Sequence, residues 1–84
     1  MYVPTGPPSA AVDALTVIAW RLAEPAPTSL WLDYLALGGS RARLDVRAYL
    51  QSRRAWPVLE HNMLAHALNE QLWDLQVPSL AVYR

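Results

Sequence analysis

Proline and glycine divide this chain into helix-length pieces, and that punctuation constrains its fold more than any other feature. The stretches "EPAPT" at 24–28, "GG" at 38–39, "AWP" at 55–57 and "VP" at 77–78 each interrupt a run with helical patterning. Proline blocks the helical conformation of the residue before it and lacks a backbone donor, while glycine closes helix ends in the left-handed conformation. Four helices are therefore expected. The first spans about 10–24 with Ser9 as its cap, and Val12, Leu15, Ala19 and Leu22, supported by Ile18, recur at core-facing spacing. The second, "LWLDYLAL", is capped by Thr28 or Ser29 and ends at Gly38-Gly39; Asp33 is its only charge, which implies burial on most sides. The third runs from about Arg43 to Arg53. The fourth has Pro57 in its first turn and reaches Gln76.

Residues 1–8 contain three Pro and one Gly and read as an extended or disordered segment, leaving 9–84 as a single helical domain. The sequence "SLAVYR" at 79–84 reads as an extended, strand-like tail. The expected class is all-α, a compact bundle of four helices with an extended C-terminal tail.

Composition then bounds function. Of 84 residues, 54% are apolar, with four Trp, four Tyr and no Phe. A chain of this length buries only about 60% of its unfolded surface, so such a load of large side chains implies self-association or docking on a protein partner. Net charge is zero and the pI is about 6.7, which argues against coating nucleic acid through bulk charge. All seven cationic side chains are Arg, which reads as the codon bias of a high-GC genome. With no Cys, disulfides and thiolate chemistry are excluded. No apolar run approaches the ~18 residues of a membrane span, and "MYVPTGPPS" lacks the basic and apolar regions of a secretion signal, so a cytoplasmic protein is expected.

Both histidines fall in "EHNMLAHALNEQLWDL", residues 60–75. At about 100° per residue, His61 shares a face with Leu64, Leu68, Leu72 and Leu75, where a partly buried imidazole bonds a backbone group or water. His66 lies about 140° away, beside Asn62, Glu70 and Trp73. Their i, i+5 spacing splits the pair, and His66 with Glu70 supplies only two ligands, so no metal site is expected. A phosphoryl-accepting histidine would need a hairpin of two long helices, and only one helix here is long. The chain contains no Gly-rich phosphate loop, nucleophile elbow or Cys nucleophile. No catalytic residue, cofactor or small-molecule substrate is implied, and the expected function is non-enzymatic.

Net neutrality hides an asymmetry. Residues 41–54 carry five Arg and one Asp, while 55–76 carry Glu60, Glu70 and Asp74 with no Arg. Arg43, Arg47 and Arg54 fall within about 40° on a helix. Together with "LDYLALGGSRARLDVRAYL" this has the outline of a helix-turn-helix, and Arg41, Arg43, Arg47 and Arg54 are the candidate nucleic-acid contacts. The competing expectation is pairing of these arginines with the acids of the fourth helix.

A protein-docking surface accounts for more of the sequence. Val17 and Trp20 form a second apolar stripe on the first helix, and Leu59, Met63 and Trp73 form one on the fourth, opposite its leucines. Trp, with Arg nearby, is typical of residues that dominate interface energies. The expected reading is a helical interaction module of regulatory or adaptor type, binding another protein or a second copy of itself, with nucleic acid as the alternative partner and no membrane involvement. The stretches "SLWLDYLALGGS", "VRAYLQ" and "LAHALNEQLWDL" resemble those of small all-helical proteins of unknown function from high-GC actinobacteria, across about residues 28–83. That resemblance implies a compact helical fold in a regulatory context and transfers no catalytic motif.

Overall fold

The computed structural model describes residues 9–23, 27–75, 81 and 83–84. Among the described residues there are four helices: α1 (Ala14–Ala23), α2 (Pro27–Ala36), α3 (Arg43–Leu50) and α4 (Val58–Asp74). Two short strands, β1 (Ser9–Ala10) and β2 (Trp56–Pro57), pair antiparallel with Ser9 opposite Pro57 and Ala10 opposite Trp56. The fold is all-α, as the punctuation implies, with α4 as the central element: α1 and α2 both pack on it, and α3 closes against α2 and α1. Among the described residues no helix is long and apolar enough to cross a membrane.

The helix ends differ from expectation for local reasons. Ser9 does not cap α1, because it lies in β1. Asp13 takes that role: its carboxylate accepts the Thr16 amide at 2.9 Å and the Thr16 hydroxyl at 2.6 Å. Nor does Thr28 or Ser29 cap α2, which begins at Pro27, a residue preset for a first helical turn. Thr28 Oγ1 instead accepts a bond from Arg43 Nη1 at 3.1 Å.

Gly38 closes α2 at φ +104°, the conformation expected of it. Gly39 is required for a different reason: a Cβ there would clash with the ring of the fully buried Tyr34, 2.3–2.5 Å from three of its atoms. Helix α3 stops at Leu50, not Arg53, because Ser52 turns left-handed at φ 62° and the Arg53 amide folds back to the Ala48 carbonyl at 2.8 Å. Pro57 sits one position before α4, at its N-cap. Helix α4 ends at Asp74, with Leu75 as its C-cap; Gln76, like residues 1–8, 24–26, 76–80 and 82, lies outside the described residues.

The core gathers Leu30, Tyr34, Val46, Tyr49, Leu50 and Trp56 against Leu64, Leu68 and Leu72 of α4. Trp56 stacks on Tyr49 with ring centroids 4.5 Å apart and planes 6° apart, and it tilts over Tyr34 at 5.4 Å. Three of the four tryptophans thus belong to the core or its margin, since Trp20 and Trp31 pack half-buried against the same cluster. The fourth, Trp73, is 52% exposed.

The largest correction concerns α1. Its buried face comprises Thr16 and Ala19, flanked by the partly buried Val12, Trp20 and Ala23. Leu15, Ile18 and Leu22, assigned above to the core, are 47%, 46% and 53% exposed. At ~100° per residue the helix is rotated about 80° from the orientation that its leucines imply. Thr16 tolerates burial because Asp13 satisfies its hydroxyl. The small Ala19 and Ala23 let α1 approach α4 closely, where Ala65 and Ala67 are also buried.

Candidate functional site

Two buried polar clusters fix the surfaces around α4. In the first, the Glu60 carboxylate accepts hydrogen bonds from the Tyr34 hydroxyl and the Ser40 hydroxyl. Tyr34 Oη in turn accepts the Ser40 and Arg41 amides at 3.1 and 2.9 Å. Burial raises the Glu60 carboxyl, but the Ser40 and Tyr34 hydroxyls, the Ser40 amide and the nearby Arg41 outweigh it and hold the group below its usual range. The Tyr34 phenol is pushed up to about 12, first by burial and then by its bond to Glu60, so it stays a donor. The cluster ties the α2–α3 turn to α4.

In the second cluster, His61 is fully buried, deeper than the partly buried position expected of it. Its Nδ1 meets Tyr49 Oη at 2.5 Å, and Nε2 faces Asp13 Oδ1 at 3.7 Å. Arg84 Nη2 donates to the same Tyr49 oxygen at 3.1 Å. Burial pushes the Tyr49 phenol up to about 12, opposed by Arg84 and reinforced by Asp13. Burial also raises the Asp13 carboxyl, but its bonds from Thr16 and its own amide, with His61 nearby, bring the net position below the usual range. These contacts hold the His61 ring between α1, α3 and α4.

His66 lies on the outer side of α4. It contacts Glu70 through Nε2 at 2.8 Å and Tyr83 Oη through Nδ1 at 2.6 Å, with the Trp73 ring edge-on at 5.9 Å. Among the described residues no group of three His, Asp or Glu is placed to hold a metal ion.

The five candidate docking residues are divided between regions. Trp20 lines a groove of about 240 Å³ with Leu30, Leu44, Val46, Leu50 and the arginines Arg43 and Arg47. Val17 is half-buried beside it on α1. Met63 lines a shallower depression with Leu37, Asn62, His66 and Tyr83. Leu59 and Trp73 are exposed at 68% and 52% on the same side of α4 as Met63. The structure does not gather the five into one patch.

The candidate arginines Arg41, Arg43, Arg47 and Arg54 are all exposed. Arg54 lies beyond the end of α3, so the three-arginine helical face reduces to Arg43 and Arg47. Among the described residues no ion pair joins Arg43 or Arg47 to an acid of α4, whereas Arg41 acts electrostatically on Glu60. Arg41 precedes α3, with its carbonyl accepting the Trp31 indole at 3.0 Å.

Two features escaped sequence reasoning. One is the exposed apolar seam of Leu15, Ile18 and Leu22, whose spacing was visible but assigned to the core. The other is a row on α4 that holds the segment after it. Asn69 Nδ2 donates to the Ala81 carbonyl at 2.9 Å and its Oδ1 accepts the Ala81 amide at 3.0 Å. Asn62 treats Arg84 in the same way, at 3.3 and 2.8 Å. Ala81 and Arg84 thus meet side chains of α4 in the reverse order along the helix, whereas residues 79, 80 and 82 of the expected strand-like tail lie outside the described residues. Seam and segment adjoin, since Leu15 and Arg84 line one shallow depression with Asp13 and Ala14.

Comparison with protein-family models, curated proteins and solved structures finds no match to this chain.

Proposed function

We propose that this chain is a non-enzymatic helical interaction module that acts through protein–protein contacts, and that its α1 seam closes on α1 of a second copy. The observation that carries this reading is the half-exposure of Leu15, Ile18 and Leu22 together. Their i, i+3, i+7 spacing is that of a two-helix seam. Around a two-fold axis near Ile18, antiparallel copies set Leu15 of one against Leu22 of the other, so one surface serves both partners. The seam holds few residues, whereas a stable interface uses roughly 20–30 a side, so α1 alone gives a weak dimer.

Light scattering over a concentration series tests the reading. The wild-type chain is expected to approach twice its monomer mass, and Ile18→Glu to remain monomeric with unchanged far-UV helicity, because the position is exposed. A wild-type mass that stays monomeric, or an Ile18→Glu mass equal to that of a wild-type dimer, removes it.

A second reading, contact with nucleic-acid phosphates, is favoured by the exposure of Arg43 and Arg47 beside one another on α3. It predicts duplex binding that falls steeply with salt and that Arg43→Ala with Arg47→Ala reduces regardless of base sequence. A folded protein that shifts no duplex at low salt disposes of it.

A further inference from the structure

The groove between α1, α2 and α3 combines two kinds of surface. Its lining is mostly apolar: Leu30, Val46 and Leu50 are almost fully buried, Trp20 is half-buried and Leu44 is 74% exposed. Arg43 and Arg47 also line it, and both are exposed. They lie one turn apart on α3, with a rise of about 6 Å between them. Arg43 Nη1 donates to Thr28 Oγ1, which holds that guanidinium beside α2 and leaves its other donors for a ligand. Among the described residues Arg47 makes no ion pair and no acid lines the groove. Asp45, the acid of α3, sits about 160–200° around the helix from both arginines. Positive charge beside an apolar recess is thus left without its complement.

We infer that this groove takes an acidic amphipathic helix of a protein partner: one large apolar side chain enters the recess, and two carboxylates one turn apart meet Arg43 and Arg47. This rests on the protein–protein reading above but not on self-association, because Trp20 lies about 140–160° around α1 from Leu15, Ile18 and Leu22. Size favours a side chain as the guest. At about 240 Å³ the recess is smaller than the roughly 300–1,000 Å³ of sites that enclose a small molecule. Charge favours acids, since arginine forks bind carboxylates bidentately. Acids at i and i+4 of a helix repeat the step of about 6 Å that separates the two arginines. Trp and Arg are the residues that anchor such interfaces, and apolar helix faces dock in grooves of this kind. Nucleic-acid phosphates would satisfy the arginines but leave the apolar lining and the exposed Leu44 without a role.

The probe is a set of short, fluorescently labelled helical peptides, each with two Glu one turn apart beside Leu, Ile, Phe or Trp. Fluorescence polarisation with the full-length protein reads binding. At least one peptide is expected to bind with a Kd below about 100 μM. Arg43→Glu with Arg47→Glu should weaken it more than about tenfold, and Leu44→Ser several-fold, with far-UV helicity unchanged because all three positions are exposed. Peptides with Lys in place of Glu should then bind the doubly reversed protein. Ile18→Glu should bind as the wild type does. Failure of every peptide to bind the folded protein overturns the groove, whatever the mass of the chain in solution. Binding lost in Ile18→Glu places the peptide on the α1 seam and overturns it as well. A duplex oligonucleotide that displaces the peptide, and whose own affinity Leu44→Ser leaves unchanged, returns the arginines to phosphate and also overturns it. A wild type that is monomeric yet binds with this pattern supports the groove and removes only the self-association.

Discussion

Trp56→Ala is expected to cost about 3–5 kcal/mol, the range for deleting a buried tryptophan. A chain of this length has a total stability of about 4–13 kcal/mol at 0.05–0.15 kcal/mol per residue, so the variant is partly or wholly unfolded at room temperature. Several structural units meet at this side chain. It stacks on Tyr49, tilts over Tyr34 and is almost fully buried. Its backbone pairs β2 with β1 and supplies the carbonyl that anchors Arg84. Removing the indole leaves both tyrosine rings facing a void, and each ring carries a hydroxyl committed to a polar cluster at α4. Urea titration followed by far-UV circular dichroism measures the loss. Trp56→Phe keeps most of the apolar contact and should cost clearly less than the alanine variant. Equal effects would mean that the backbone position, not the ring stack, carries the stability. A shift under 1 kcal/mol for Trp56→Ala would move the centre of the core elsewhere.

How far the sequence reveals this fold depends on what kind of signal each element leaves. Helix number and class are legible because Pro27, Gly38 and Pro57 act through their own backbone conformation, which depends little on packing partners. The rotation of α1 is not legible. Side-chain size assigns Leu15 and Leu22 inward over Thr16 and Ala19, yet closeness of approach to α4 favours the small residues once Asp13 has satisfied the threonine. The same blindness hides the candidate site. Asn62 and Asn69 leave no local sequence signal of their role, because their partners lie 22 and 12 residues further along the chain. His61 is half legible: its place on the leucine face is right, but Tyr49 and Asp13 come from other elements. Composition counts aromatic residues without saying that Trp56 stacks on Tyr49 and tilts over Tyr34 inside the core.

Glu60→Gln should be the most informative polar substitution, because its effect depends on pH in a defined direction. The carboxylate receives the Tyr34 and Ser40 hydroxyls, and Tyr34 Oη has already accepted two amides, so its proton is committed to Glu60. An amide in that place offers one acceptor and turns a donor toward one of the hydroxyls. Losing a hydrogen bond to a charged group costs about 1.5–3 kcal/mol, and a loss of about 2 kcal/mol at pH 7 is expected. The folded Glu60 carboxyl titrates below its unfolded value of 4.5, so folding favours the ionised form. The stabilisation is then complete above about pH 4.5 and disappears as the pH falls through the lower, folded value. Asp13 is lowered in the same direction and contributes its own loss in the acid range, but it is common to both proteins and cancels in their difference. Tyr34, raised to about 12, keeps its proton throughout. Urea denaturation of wild type and Glu60→Gln from pH 7 to pH 3 should therefore give curves that converge on the acid side, as protonated Glu60 comes to resemble the amide. Curves that stay parallel would mean that the two hydroxyls hold the side chain's shape and not its charge, and the cluster that fixes the α2–α3 turn to α4 would have to be read as packing.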